Sequence, residues 1–182
     1  ADVKNQTIFN NFVYGSVYGI HFLKDEITGK YPGKMTMIGH GSDGCTYSLF
    51  VEDADKDTKI IAVNSELVNT KIPNEPVRSY VLMGKEMNTS KVHPDAKLIL
   101  YNSAFQQANF SRSGTYGVDV RGGRAHVYTS YFAQEILDTV TLNGYARLGM
   151  YGNLIELTNN YYISGFRFDK EGKGILCGSD KR

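Results

Sequence analysis

Short apolar runs separated by polar turns dominate the chain, and most of these runs have the length of a strand. Residues 34–38 read as a short strand, and 46–51 and 58–63 read as a strand pair joined by an Asp-rich turn. The clearest run, 96–101, is apolar apart from Lys97 and predicts a central strand covered on both faces. Residues 77–87 fit a helix or a strand equally well.

One segment has helical periodicity. Residues 128–138 place Phe132, Ile136 and the pair Ala133 and Leu137 on one stripe, and Asn143-Gly144 follows as a C-cap. Further strands are predicted at 145–150, 153–157 and 161–168. No internal repeat is visible, so the order of elements predicts one α/β domain over residues 1–182, with a mixed central sheet, flanking helices and a C-terminal β-hairpin region.

Composition excludes several classes of protein. The 20 basic and 19 acidic residues leave a net charge of +1, which argues against a general nucleic-acid binder. No apolar run approaches the roughly 20 residues that a transmembrane helix needs. No signal peptide is visible, so either one was removed or the chain is a domain of something larger. The two cysteines, Cys45 and Cys177, leave one disulfide bridge and two free thiols as open alternatives.

The most specific local motif is Ile38-Gly39-His40-Gly41 at the end of a predicted strand. The carboxyl ends of strands in open α/β sheets are where ligands bind, and a histidine there suits general base catalysis. The next buried strand ends in Asn102-Ser103, so we expect Ser103 and His40 at the same sheet edge, on adjacent or next-adjacent strands. A serine within reach of a histidine forms a nucleophile–base pair. The alternative is that both motifs are ordinary strand ends.

This layout resembles the self-processing cysteine protease domains of bacterial toxins, which belong to the caspase-like group. The resemblance covers Ile38-Gly39-His40-Gly41, the strand 98–103, the segment 131–137 and the terminal region 146–173. It implies a secreted hydrolase, or an effector delivered into a host cell, that cleaves a peptide substrate by autoprocessing. His40 would be the general base, and the Gly41 amide would bind the oxyanion.

The chain departs from this family at the nucleophile. The family has cysteine after the second strand, where this chain offers Tyr101, Asn102 or Ser103. Ser103 would be a serine variant or a substituted cysteine, whereas the other two residues would give a non-catalytic relative. Cys45 more plausibly begins a strand as a small apolar residue than serves as the nucleophile. A non-catalytic module that recognises a host protein or a polyanion is therefore the alternative, and a β-rich adhesin with a Cys45–Cys177 bond is a third hypothesis.

Two groups of basic residues bear on regulation. The resemblance implies an inositol hexakisphosphate site, for which the candidates are Arg112, Arg121, Arg124, Lys170 and Lys173. Solvated surface charge is the simpler interpretation of the same residues. The Gly- and Ser-rich stretch from Asn109 to His126 predicts a mobile loop that becomes ordered when a polyanion binds. No metal site is predicted, because Asp53, Asp55 and Asp57 lack the Gly and distal Glu of a calcium-binding EF-hand.

Overall fold

The chain folds into a parallel β-solenoid. The computed structural model describes residues 5–69, 79–84, 91–107, 116–132, 138–142, 147–151, 154–155, 166–167 and 175–177. All regular elements in these ranges are strands. Each coil contributes one strand to each of three sheets, here called A, B and C, and every strand pairs in parallel with its equivalents in neighbouring coils.

The strands are short and recur in the same order along the chain. Sheet A contains β1 (Gln6–Phe9), β4 (Lys34–Ile38), β7 (Lys59–Val63), β10 (Lys97–Tyr101), β13 (Arg124–Tyr128), β16 (Arg147–Tyr151) and β19 (Ile175–Cys177). Sheet B contains β2 (Phe12–Tyr14), β5 (Gly41–Asp43), β8 (Glu66–Asn69), β11 (Ala104–Gln107), β14 (Tyr131–Phe132) and β17 (Leu154–Ile155). Sheet C contains β3 (Tyr18–Phe22), β6 (Tyr47–Val51), β9 (Ser79–Met83), β12 (Tyr116–Val120), β15 (Asp138–Leu142) and β18 (Phe166–Arg167).

The interior is filled by apolar side chains that stack from coil to coil. In sheet A, Ile60, Leu98 and Ala125 occupy one register position and are fully buried. Phe105 of sheet B packs edge-on against Tyr80 of sheet C, with ring centroids 6.0 Å apart. Burying a side chain of the size of Leu or Ile contributes roughly 1.5–3 kcal/mol, so these stacks are the main source of stability.

The corner between sheets A and B has two residues in each coil where the structure describes it. Its first residue has positive φ in each described coil, namely Asn10 (48°), Gly39 (66°), Asn64 (52°), Asn102 (48°) and Thr129 (44°). Gly and Asn tolerate this left-handed conformation best, which accounts for most of the residues found there. The second corner residue is buried at His40, Ser65, Ser103 and Ser130. A buried polar residue therefore follows the positive-φ residue at each of these four bends.

The predicted α/β, caspase-like fold is wrong. The predicted helix over 128–138 includes the end of β13, the corner 129–130, β14 and the start of β15, while 133–137 lie outside the described residues. Of its apolar stripe, only Phe132 lies within the described residues, where it ends β14. The predicted C-terminal hairpin region is also wrong, because β16, β17 and β18 pair in parallel with strands of earlier coils.

Several individual strands are confirmed although their partners differ. Strands occur at 34–38, 47–51, 59–63 and 97–101, close to the predicted bounds. The pairing of the second and third of these is wrong, because β6 belongs to sheet C and β7 to sheet A. A solenoid separates consecutive strands into different sheets, whereas a hairpin would pair them.

The predicted loop from Asn109 to His126 is a strand, a corner and part of a second strand where the structure describes it. β12 and β13 lie within or overlap it, and Val118, Val120 and Ala125 are buried. Residues 108–115, including Arg112, lie outside the described residues. In the described part of the chain, no helix has the length and apolar character needed to span a membrane.

Candidate functional site

The corner after β4 holds His40 inside the solenoid. Gly39 turns the chain with positive φ, and the imidazole of His40 then points inward with no exposed surface. Its Nδ1 lies 3.0 Å from Oδ1 of Asn11 in the preceding coil. Burial lowers the pKa of His40, an effect that the nearby Ser48 backbone partly offsets. His40 is therefore a neutral, internal side chain near pH 7.

Ser103 occupies the same corner position as His40, two coils further along. Ser65 lies between them, because β4, β7 and β10 are consecutive in sheet A. Strands are about 4.8 Å apart, so His40 and Ser103 are separated by roughly 10 Å along the solenoid axis. Ser103 is 2% exposed, and its hydroxyl oxygen lies 3.4 Å from the Tyr101 carbonyl. The structure thus places the two residues in one row but not in hydrogen-bond contact.

The Gly41 amide is already engaged. It donates to the Asn11 carbonyl at 2.9 Å, and the ring of Phe12 lies across Gly41 so closely that an added methyl group would come within 2.5 Å of Phe12 Cδ2. This amide therefore serves the coil-to-coil ladder, where an oxyanion would need it free.

The sequence-predicted basic residues separate into three groups. Arg121 donates from two nitrogens to the Asp119 carboxylate, which is 1% exposed. Arg124 pairs with Asp95 and donates to the Pro94 carbonyl at 3.2 Å. Arg112, Lys170 and Lys173 lie outside the described residues. Arg121 and Arg124 are therefore close in sequence but belong to separate ion pairs.

Cys45 is a buried free thiol. Its sulfur lies 3.8 Å from the carbonyl oxygens of Val13 and Asp43. Burial raises the pKa of the Cys45 thiol, and the nearby Asp43 adds to this rise. A thiol with these properties is a poor nucleophile. Among the described residues, no group of three or more His, Cys, Asp or Glu side chains could hold a metal ion.

A row of cations crosses the outer face of sheet A, and sequence reasoning missed it. Lys34, Lys59, Lys97 and Arg124 are the first residues of consecutive strands and stand directly opposite one another in the register. They alternate with buried residues and so point outward, with Lys34 and Lys97 exposed and the other two half-buried. The backbone register continues to Arg147. We call Lys34, Lys59, Lys97 and Arg124 the basic row.

The basic row is poorly neutralised. Among the described residues, ion pairs hold Arg124 but none holds Lys34, Lys59 or Lys97. His126 lies on the same face. Burial lowers the pKa of His126, and Lys97 and Arg124 lower it further. The four cations are thus grouped on one face although the whole chain has a net charge of only +1.

Apolar and aromatic residues occupy the opposite edge of the same face. Phe9, Ile38, Val63, Tyr101 and Tyr128 form this second register row, here called the aromatic row. Tyr101 is 48% exposed, and its ring centroid is 6.2 Å from that of Tyr128. The two rows are four residue steps apart along each strand, or about 13 Å.

The signal that could have found these rows is a spacing relative to the corners. Each cation precedes the positive-φ corner residue by five positions, as in Lys59 and Asn64 or Lys97 and Asn102. The intervals between corners range from 25 to 38 residues in this central part (39 to 64, then 64 to 102), which hides the repeat from inspection.

Comparisons of the chain with protein-family models, with curated protein sequences and with solved structures found no match.

Proposed function

We propose that this protein is a non-catalytic binding module that holds an extended acidic polysaccharide across the outer face of sheet A. The observation that carries this proposal is the in-register stacking of like charges in the basic row. Cations directly opposite one another on neighbouring strands destabilise a sheet, so their repetition over four strands opposes folding. An anionic ligand that lies along the solenoid axis removes this repulsion.

The geometry supports a linear ligand. Four cations at the strand spacing of about 4.8 Å form a line of roughly 14 Å. A compact anion spans only part of this line, whereas a polymer with repeated carboxylate or sulfate groups follows its whole length. Inositol hexakisphosphate, which the sequence resemblance implies, is such a compact anion.

The aromatic row favours a saccharide over other polyanions. Tyr101, which is 48% exposed, and the half-buried Tyr128 lie on the same face, about 13 Å from the basic row. A branched or obliquely placed saccharide can therefore pack the apolar face of a sugar ring on Tyr101 while its anionic groups meet the cations. Stacked bases also bind tyrosine rings, but the net charge of +1 is unlike that of general nucleic-acid binders. Polysaccharide is therefore the ligand class that the proposal names.

A toxin peptidase stays a sequence-based prediction, as does secretion. The complete burial of His40 and its separation from Ser103 give the peptidase no geometric support, since a general base must come within hydrogen-bond reach of the group it deprotonates.

The decisive experiment measures binding of a sulfated or uronic-acid polysaccharide by isothermal titration calorimetry at several salt concentrations. The double variant Lys59→Gln/Lys97→Gln should bind at least about tenfold more weakly than the parent protein, with a shallower dependence on salt. The control Lys56→Gln/Lys91→Gln loses the same charge away from the basic row and should bind like the parent.

Three results contradict the proposal. Equal weakening by both double variants would mean that only net charge matters. Equal binding of a neutral polysaccharide would remove the role of the cations. Tighter binding of single-stranded DNA, polyphosphate or inositol hexakisphosphate than of any acidic polysaccharide would assign the basic row to a different ligand.

A further inference from the structure

A third row of outward-facing residues lies between the basic row and the aromatic row on sheet A. Thr36, Ile61, Ile99 and His126 stand directly opposite one another in the register of β4, β7, β10 and β13. We call these four residues the middle row. Each of them is two residue steps, or about 7 Å, from the cation at one end of its strand and from the aromatic-row residue at the other. His126 is the only one of the four that can carry a charge.

His126 is placed where a ligand on this face would touch it. Its side chain is half-buried, and its ring is stacked on that of Tyr128, with 11° between the ring planes and 6.3 Å between the centroids. In the next coil the register sets Gly149 opposite His126, so this position of β16 adds no side chain beside the imidazole. A ligand that extends from the basic row to Tyr128 therefore passes over His126.

Cations flank His126 on its own strand and on the preceding one. Arg124 and Lys97 occupy the basic row beside it, and Asp95, in the turn before β10, pairs with Arg124. The strands β10, β13 and β16 contain no Asp or Glu. Burial lowers the pKa of His126, and Lys97 and Arg124 lower it further, so the imidazole is neutral near pH 7 in the free protein. The ionisable residues at the equivalent register positions of the three strands are Lys97, Arg124 and Arg147 at one end and Tyr101, Tyr128 and Tyr151 at the other.

We infer that His126 is a further anion-binding residue of this face, and that it takes up a proton when an acidic polysaccharide binds. This inference rests on the proposed function, because the polysaccharide supplies the negative charge. Anionic groups on the basic row offset the charges of Lys97 and Arg124 and attract a positive imidazole, and both effects favour the protonated form. The imidazolium then donates a charge-assisted hydrogen bond to a sulfate or carboxylate of the ligand. The proton comes from the buffer, and no other covalent bond changes.

Polysaccharide affinity should therefore increase with acidity. The bound ligand raises the pKa of His126 above its value in the free protein. The affinity then rises as pH falls through the pKa of the complex, and it levels off below the pKa of the free protein. A single proton limits this rise to about tenfold per pH unit. A sulfated polysaccharide keeps its charge over this range, so titration of the ligand does not contribute.

Isothermal titration calorimetry with dextran sulfate tests the inference, with circular dichroism to verify folding. Titrations near pH 6 in two buffers of different ionisation enthalpy give the number of protons taken up on binding. The parent protein should take up a measurable fraction of one proton and should bind at least about threefold more tightly at pH 5.5 than at pH 8. His126→Asn should lose both effects. His126→Lys, which carries a fixed charge, should lose the proton uptake but bind more tightly than His126→Asn at every pH.

His93→Asn is the matched control. His93 is 46% exposed and lies in the turn before β10, outside the middle row. Asparagine can still accept the hydrogen bond that the Asp95 amide donates to Nδ1 of His93 over 3.1 Å. This variant should keep the proton uptake and the pH dependence of the parent protein.

The outcomes separate this inference from the proposed function. Binding of dextran sulfate that depends on Lys59 and Lys97 but takes up no proton would overturn the role of His126 and leave the proposed function intact. Proton uptake that persists in His126→Asn, or that is lost in His93→Asn, would overturn the role of His126 as well. Failure of dextran sulfate to bind the parent protein would contradict both. Proton uptake by the parent is measured without any variant, so a variant that fails to fold does not remove the test.

Discussion

Asn102 donates its side-chain amide to Oδ1 of Asn64 over 2.7 Å, from one coil to the next, and both residues have positive φ. The two asparagines thus serve the bend in two ways, as tolerant backbone positions and as partners across the ladder. One substitution of Asn102 can remove only the side-chain hydrogen bond. Another can remove the hydrogen bond and also place a residue there that disfavours positive φ.

We expect Asn102→Gly to destabilise the protein less than Asn102→Ala. Glycine loses only the side-chain hydrogen bond, about 1 kcal/mol, whereas alanine also takes on the left-handed backbone at a further cost of roughly 1–2 kcal/mol. Urea denaturation monitored by circular dichroism measures the difference. Equal midpoints for the two variants would show that the backbone conformation relaxes.

His40 should make stability depend on pH. Its folded-state pKa is lowered by burial, so the unfolded chain binds a proton near pH 6.5 while the folded chain does not. Stability is therefore complete above about pH 6.5 and falls as pH decreases below it, by at most about 1.4 kcal/mol per pH unit for this group.

The matched variant is His40→Ser, which places at this corner the residue found at Ser65 and Ser103. Its unfolding free energy, measured from pH 8 to pH 5, should fall less steeply with decreasing pH than that of the parent. Parallel curves for the two proteins would mean that His40 titrates alike in the folded and unfolded chains. His126, whose pKa is also lowered, accounts for part of the slope that remains.

Gly19 should tolerate no side chain. A methyl group there would lie 2.4 Å from the Ser48 carbonyl oxygen, and the backbone of a neighbouring coil cannot yield as a flexible side chain can. Gly19→Ala should cost about 1–3 kcal/mol through overpacking. The comparison variant is Gly15→Ala, which meets no atom within 4 Å but has a φ of 65°. Thermal denaturation measures both variants. A lower melting temperature for Gly15→Ala than for Gly19→Ala would contradict the close approach of Gly19 to the Ser48 carbonyl.

Cys45 should react with thiol reagents only when the chain unfolds. Its side chain is fully buried and its pKa is raised. In a Cys177→Ser background, the rate of labelling by Ellman's reagent should be very slow in buffer and rise with urea along the unfolding curve. Rapid labelling of the folded protein would show that the coil around Cys45 opens locally.

Lys59 should lower the stability of the folded protein while it strengthens polysaccharide binding. Neutralising it in Lys59→Gln relieves repulsion from Lys34 and Lys97, so stability at low ionic strength should rise by a few tenths of a kcal/mol. The gain should shrink as salt screens the charges, while polysaccharide affinity falls. Loss of stability at all salt concentrations would show that the Lys59 stem stabilises the sheet by packing.

The sequence predicts individual strands better than their arrangement. The run at 96–101 is recognisable because Leu98 and Leu100 face the interior on a strand of five residues. Its neighbours were not predictable, because β7 and β13 lie in other coils at irregular sequence distances. The helix predicted at 128–138 fails because Tyr131–Phe132 and Asp138–Leu142 are strands. They follow a corner at which Thr129 adopts positive φ, a conformation that neither propensity nor periodicity indicates for threonine.

Recognising the candidate site from the sequence would also require knowledge of the strand pairing. His40 and Ser103 stand out by residue type, yet their burial follows from the second corner position, which is also buried at Ser65 and Ser130. Lys59 and Lys97 look like ordinary surface lysines until the register places them side by side. Charge patterns that form across strands are visible only when the pairing is known.

The connections that enter the strands of sheet A vary in length, whereas the connections that leave them do not. The described corners that leave β1, β4, β7, β10 and β13 for sheet B have two residues each, whereas the connections entering β4, β7, β10 and β13 from sheet C have 11, 7, 13 and 3 residues. Added sequence can therefore enter at the sheet C to sheet A connections without shifting the register of any strand. A foreign peptide inserted in the Asp-rich turn between β6 and β7 should be displayed on the surface of an otherwise unaltered solenoid.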